Sequence, residues 1–388
     1  MTPTPCTLLN PGRVQAGPGS LGLLTELAQG FGASRVLIVS SRSVVSAGLL
    51  DAALQSLAAA GIAHTLIGHT PPEPVVQDVE AILDAAQAGG PYDLVAGIGG
   101  GSAIDVAKIV AVLLAHPVSL RDLLAKRAEI PARGLPTVMV PTTSGTGAEA
   151  TPNSIILVAE DELKVGIVSP KLVPDAVILD PLLTLTLPPA VTASTGMDAL
   201  THAIECYCSK KGNAFSDLYG LEAIRLIGRS IRRAVSDGTD VAARQDMLMG
   251  AYYGGVCIAT SSTTAVHALA YPLGGKYRIA HGLSNAILLP SVMAFNLVGN
   301  ERRFAEMARA MGLAVEGLSD ADAGAAFVEA LRALNADLGI AADLRGCGVT
   351  EADLDGLVDG AAKVTRLLDN NPRPMSRAEM RAIYRDLL

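Results

Sequence analysis

Of the six histidines in the chain, three fall in its second half, and one of these shares a helical stretch with an aspartate. In TGMDALTHAIE, Asp198 and His202 stand four residues apart, the spacing that places two side chains on one face of a helix. His267 follows in TTAVHALAYPLGG and His281 in RIAHGLSNA. One carboxylate and three imidazoles suit a divalent first-row metal. With no thiolate in the set, iron(II), zinc, manganese and cobalt are all chemically acceptable. An Asp/His pair at this spacing is commonly a surface hydrogen bond, so the metal reading requires His267 and His281 to converge on it. His64, His69 and His116 share no pattern and read as incidental.

A second chemistry is suggested by GIGGGSAIDVAK (Gly97 to Lys108), which follows a predicted strand and opens a predicted helix. Gly99, Gly100 and Gly101 carry no Cβ, so another group can approach the backbone closely. Ser102 is expected to cap the helix. Free N–H groups at a helix N-terminus suit a pyrophosphate. The pattern departs from G-x-G-x-x-G, and its alternative reading is a tight turn with no ligand. A second loop, PTTSGTGAEAT (Pro141 to Thr151), offers the hydroxyls of Thr142, Thr143, Ser144 and Thr146. Two such loops at the carboxyl ends of predicted strands favour a nucleotide site at that sheet edge.

Positioning these residues takes two kinds of scaffold. RVLIVSS (Arg35 to Ser41), DLVAGIG (Asp93 to Gly99), PTVMVPTT (Pro136 to Thr143) and AVILDP (Ala176 to Pro181) read as buried strands. Helical patterns such as LLDAALQSLAAAG and VQDVEAILDAAQAG lie between them. This alternation implies a mostly parallel sheet covered on both faces. From Pro188 onward apolar residues recur at helical spacing, as in AFSDLYGLEAIRLIGRSIRRAV and GAAFVEALRALNADLG. The expected organisation is an α/β nucleotide-binding domain over residues 1–185 and an all-α domain over residues 186–388.

Composition narrows the function. The chain has 388 residues, half of them apolar, with 30 basic and 38 acidic residues. A net charge of -8 and the absence of Trp argue against a nucleic-acid surface. No apolar run is long enough to span a membrane, and the N-terminus shows no signal-peptide pattern. Five scattered cysteines form no disulfide framework and fit a reducing cytoplasm. Cys206 and Cys208 lack the second pair a thiolate zinc site needs.

At these residues the sequence resembles the iron-containing (group III) alcohol dehydrogenase family. The likeness runs through GGGSAIDVAK, PTTSGTGAEAT, DPLLTLTLP, TGMDALTHAIE, HALAYPLGG, AHGLSNAILLPSVMAFN and NPRPMS, and begins at NPGRVQAGPGSL. The resemblance implies a dehydroquinate synthase-like fold: an NAD(P)-binding α/β domain followed by an all-helical metal and substrate domain. It implies that Asp198, His202, His267 and His281 ligate the metal, iron(II) first, with zinc or another divalent ion as alternatives. Gly99, Gly100, Gly101 and Ser102 match the pyrophosphate turn, and Thr142, Thr143, Thr146, Asn153 and Lys164 match further contacts to NAD or NADP. The implied reaction is reversible hydride transfer between a small primary alcohol, or its aldehyde, and nicotinamide. The implied assembly is a homodimer or larger homo-oligomer.

Four positions depart from the family pattern. Tyr271 stands where many members place a second histidine that relays a proton; a phenol with an ordinary pKa of about 10 is a poorer relay at neutral pH and can line the pocket instead. Ser41, followed by Arg42, replaces the aspartate that many NAD-preferring members place after the second strand, which leaves NADP open. Pro72–Glu73–Pro74 replaces the common Pro-Asn-Pro turn and removes an amide contact. Ala280 replaces the usual proline before His281. Alternative functions are a reductase of an acid-bearing substrate such as maleylacetate, for which Lys210, Lys211, Lys276 and Arg278 are available, or a non-catalytic metal- or nucleotide-binding relative.

Overall fold

The computed structural model describes residues 5–158 and 163–388. They form two compact units. One comprises Leu9–Thr143 and Gly147–Thr186; the other comprises Leu187–Leu388, Ser144–Thr146 and a short N-terminal segment ending at Leu8.

The first unit holds eight strands: β1 (Arg13–Ala16), β2 (Arg35–Ser40), β3 (Ala63–Ile67), β4 (Leu94–Gly99), β5 (Thr137–Pro141), β6 (Asn153–Val158), β7 (Leu163–Val168) and β8 (Ala176–Leu179). Its helices are α1 (Leu24–Gly30), α2 (Arg42–Ser46), α3 (Asp51–Ala59), α4 (Val76–Ala88), α5 (Gly101–Ala115) and α6 (Leu120–Leu124). Six strands lie parallel in the order β1-β8-β5-β4-β2-β3. The inner strands β2, β4, β5 and β8 are apolar and buried almost throughout, as strands covered on both faces must be. They are slightly shorter than the sequence runs suggest, because the polar or proline ends of those runs turn away into loops. The antiparallel pair β6–β7 carries no sequence signature of the kind that marks the inner strands. It stands outside the main sheet, with an isolated parallel bridge from Leu157 to Val75, and β6 is half-buried and lacks the continuous burial that marks the others.

Strand order reverses between β2 and β4: β3 lies on one side of β2, and β4, β5, β8 and β1 on the other. A crevice opens beyond the strand carboxyl ends at such a reversal. Ser41 and the Gly99–Gly101 turn sit there, since Ser40 pairs with Ile98 across the two strands.

The second unit is helical: α7 (Pro189–Cys208), α8 (Ala214–Ser236), α9 (Val241–Thr260), α10 (Ala265–Tyr277), α11 (His281–Leu297), α12 (Glu301–Ala310), α13 (Asp320–Asp337), α14 (Leu354–Ala362), α15 (Thr365–Leu368) and α16 (Arg377–Asp386). α7 runs through its centre, with every residue from Gly196 to Cys208 buried. It packs against α8, α9 and α11. Cys206 and Cys208 are buried, unpaired thiols at its C-terminal end. Close approach depends on glycine at two places beside the candidate ligands. A Cβ on Gly254 of α9 would lie 3.3 Å from His202 Cβ, and one on Gly282 of α11 would lie 2.2 Å from the Ser194 carbonyl oxygen of α7. No helix among the described residues is long and apolar enough to cross a membrane.

Candidate metal centre and nucleotide edge

Three helices bring the Asp/His set together. α7 supplies Asp198 and His202, α10 supplies His267 in its first turn, and α11 begins at His281. One ligating atom from each lies within 4.8 Å of all the others. Asp198 Oδ1 stands 3.6 Å from His202 Nε2, 3.8 Å from His267 Nε2 and 3.7 Å from His281 Nε2. A tetrahedron of donors bonded at about 2.1 Å has an edge of about 3.4 Å, so this spacing fits a first-row divalent cation with little adjustment. The rings of His202 and His267 stack at 4.7 Å, and His267 meets His281 edge-on at 5.2 Å. Asp198, His202 and His267 are buried, whereas the His281 side chain keeps 30 % of its surface exposed, so the cluster opens on that side.

The electrostatics favour cation binding. Burial opposes ionisation of Asp198, but His202, His281 and His267, helped by the Asn285 amide, hold its carboxyl down to about 2. Burial pulls His202 below the ordinary imidazole range, opposed mainly by Asp198. A buried, ionised carboxylate facing imidazoles is a set of lone pairs without enough protons, and a metal supplies the missing positive charge.

Two residues that the sequence reading did not single out complete the cluster. Glu205, one turn beyond His202, is fully buried. Its Oε1 accepts from Thr264 Oγ1 and from the Val266 N–H, each at 2.6 Å, and its Oε2 meets His267 Nδ1 at 2.5 Å. The carboxylate therefore caps the N-terminus of α10 and orients the ligand one residue further on. Burial opposes its ionisation, and His267, Thr264 and Val266 together still bring it below the ordinary range. Asn285, one turn beyond His281, donates from Nδ2 to Asp198 Oδ1 at 2.7 Å. A helical period would have exposed both, because each sits three or four residues past a ligand on the ligand's own helix.

Tyr271 lies one turn past His267, with its ring 6.3 Å from that of His281. Burial raises its phenol pKa, with Arg366 pulling the other way. It stays protonated at neutral pH and can donate a hydrogen bond there. Of the basic residues considered for an acidic substrate, Lys276 is exposed and committed to Asp353 at 2.6 Å.

At the nucleotide edge, the structure joins the two small-residue loops. The Thr142 N–H donates to the Gly99 carbonyl at 2.9 Å, and a Cβ on Gly100 would lie 3.5 Å from Thr143. Gly99 is required by packing as much as by any ligand, because its Cβ would come within 2.8 Å of Ala103 Cβ. The expectation that Ser102 caps α5 is corrected. Gly100 is the N-cap, and Ser102, one residue into the helix, uses its Oγ to accept the Glu73 N–H at 3.2 Å. Ser41 is the N-cap residue of α2, without a side-chain cap bond. Lys164 on β7 pairs with Glu73 at 2.5 Å, and Glu73 itself has a left-handed backbone, φ 49°. Thr146 groups with the helical unit, apart from Thr142 and Thr143.

Asn153 opens β6, and its carbonyl is held by Lys108 Nζ. The same ammonium reaches the Ala148 carbonyl at 2.8 Å, the Thr151 carbonyl at 3.3 Å and Asp105 at 3.2 Å. Lys108, inside the glycine-turn motif, thus pins the second loop to α5. Glu149 is buried beside it. Burial pushes Glu149 up to about 7, against its own backbone amide and Lys108.

A doubly wound sheet with a glycine turn at its reversal, in one chain with a helical Asp/His cluster, is what a metal-dependent, dinucleotide-linked oxidoreductase requires. Residues 11–181 match the iron-containing alcohol dehydrogenase family, and residues 192–388 match the C-terminal part of the Fe-containing alcohol dehydrogenase family. The chain is 40 % identical over 370 residues to long-chain-alcohol dehydrogenase 1 of Geobacillus thermodenitrificans, covering 95 % of this chain and 93 % of that one. It is 34 % identical over 370 residues to lactaldehyde reductase of Escherichia coli, covering 95 % and 96 %. Among solved structures it is similar to 1,3-propanediol oxidoreductase, with a TM-score of 0.94 and 34 % identity over 99 % of this chain and 100 % of that one. Alcohol dehydrogenase from Oenococcus oeni gives a TM-score of 0.94 at 30 % identity, with coverages of 99 % and 100 %. The chain belongs to the iron-containing alcohol dehydrogenase family. It is an oxidoreductase that interconverts alcohols and aldehydes with a metal and a nucleotide cofactor.

Proposed function

We propose that Asp198, His202, His267 and His281 hold a divalent metal, iron(II) first and zinc as the alternative. In this reading Ser41, Gly99, Gly100, Gly101, Ser102, Thr142, Thr143, Thr146, Asn153 and Lys164 contact NAD or NADP. Residues 1–185 are the coenzyme domain and 186–388 the metal and substrate domain. The convergence of four ligating atoms within 4.8 Å carries this reading.

When bound, the metal supplies Lewis acidity toward the substrate oxygen and the nicotinamide accepts or donates hydride. Asp198 brings a negative charge that offsets half the charge of a divalent cation. Glu205 keeps the His267 proton on Nδ1, so Nε2 presents a lone pair. Tyr271 keeps its own proton and shapes the pocket beside His281. The substrate class is a small primary alcohol and its aldehyde; relatives are named for a long-chain alcohol, a diol and an aldehyde, which share the primary alcohol or aldehyde group and differ in size. The enzyme works in the cytoplasm as a homodimer or larger homo-oligomer, which light scattering tests directly.

Anaerobic purification and elemental analysis test the metal. Reduced-nicotinamide absorbance over an alcohol and aldehyde series, with NADH and NADPH in parallel, tests the reaction. Activity lost to a chelator and restored by iron(II) or zinc is the expected result. Turnover that survives complete metal removal would overturn it.

A further inference from the structure

We propose that Asn285 is a positioning residue of the metal centre: its carboxamide holds Asp198 in place as a ligand. The proposal rests on reading the Asp/His cluster as a metal centre.

Asn285 is fully buried on α11. Its Nδ2 donates to Asp198 Oδ1 at 2.7 Å and lies 3.2 Å from His267 Nε2 and 3.3 Å from His281 Nε2. These are three of the four atoms assigned to the cation. A carboxylate only accepts, so Asp198 fixes which end of the amide faces the cluster. The amide nitrogen therefore faces lone pairs that a metal would use, and its two hydrogens can satisfy two of these three acceptors at a time.

The far side of the amide strengthens the assignment. Asn285 Oδ1 is buried and has no hydrogen-bond partner among the described residues. Leaving such an oxygen unsatisfied is unfavourable. Among the described residues, the side-chain hydrogen-bond partners of Asn285 are all candidate ligands. A carboxylate oxygen has lone pairs to spare, whereas an imidazole nitrogen has one. The bond to Asp198 is thus compatible with a loaded centre. Hydrogen bonds of this kind to a ligating carboxylate support affinity as well as orientation.

The test is zinc(II) affinity of the full-length protein, measured by chelator competition, with the cobalt(II) absorption spectrum as a second readout. Asn285→Leu keeps the branching and the number of heavy atoms and removes the amide; Asn285→Ser is a smaller variant in case the bulkier leucine prevents folding. The expected result is a 10- to 100-fold weaker zinc Kd, on the order seen when outer hydrogen bonds to ligands are removed, together with an altered cobalt(II) spectrum. Zinc affinity and cobalt(II) spectrum both unchanged, in a variant that still unfolds cooperatively, would overturn the proposal. Failure of the unmodified protein to bind zinc or cobalt at all would instead overturn the metal-centre reading beneath it.

Discussion

Glu205 Oε2 lies 2.5 Å from Nδ1 of His267, and its other oxygen caps the helix on which that histidine stands. One buried carboxylate thus sets both the tautomer of a candidate ligand and the direction of the helix that carries it. Glu205→Gln keeps the size but offers the ring a weaker acceptor. We expect metal affinity to fall by roughly 10- to 100-fold, measured by chelator competition. Glu205→Ala should in addition lower the melting temperature, because the Thr264 hydroxyl and Val266 amide lose their partner. Unchanged metal affinity in Glu205→Gln would show that the contact only caps α10.

Gly282 follows His281 and packs on α7, where a Cβ would meet the Ser194 carbonyl at 2.2 Å and Asp198 Cβ at 3.2 Å. Gly282→Ala must push α11 outward and part His281 from Asp198. Overpacking of this kind costs about 1–3 kcal/mol, so both the melting temperature and metal retention on dialysis should drop. Retention equal to that of the unmodified protein would mean that the two helices tolerate the shift.

Tyr271 is protonated at neutral pH as an ordinary phenol is, and burial raises its pKa further. Tyr271→Phe should leave the shape of the pH–rate profile unchanged and alter KM through packing beside His281. Loss of a limb of that profile would assign Tyr271 to proton transfer.

Glu73 holds Lys164 and adopts a backbone conformation that asparagine tolerates better. Glu73→Asn should release Lys164 and remove a carboxylate from beside the N-terminus of α5. Titration by nicotinamide fluorescence should then show several-fold tighter binding of both NADH and NADPH. Weaker NADH with tighter NADPH would place Glu73 against the ribose instead, as its selectivity group.

Glu149 is held at about 7, above the ordinary carboxylate value of 4.5. The folded state therefore binds more protons than the unfolded state across that window. The contribution to stability is full below about pH 4.5 and is lost as pH rises through about 7. Glu149→Gln should flatten the fall in melting temperature over this range, while Asp105 and Lys108 remain in place. Parallel curves for the two proteins would show that Glu149 ionises without penalty.

Much of this protein was legible along the chain. Continuous apolar runs announced the inner strands, since a strand buried on both faces has no other composition open to it. The i, i+4 spacing of Asp198 and His202 announced a shared helix face, and the glycine turn announced close packing at the start of α5. Spacing along one helix is local geometry, and local geometry follows from backbone periodicity alone. Nothing local, however, specifies that α10 and α11 deliver His267 and His281 to the same point as α7. That depends on how bulky and small side chains interlock across three helices, with Gly254 and Gly282 allowing the approach. Glu205 and Asn285 stayed hidden for the same reason: their partners lie 62 and 87 residues away. Ser102 shows the converse, a residue whose type suited a cap but whose hydroxyl was taken by Glu73 from a distant loop. Side-chain chemistry is written into residue type, but which groups meet is a property of the packed chain.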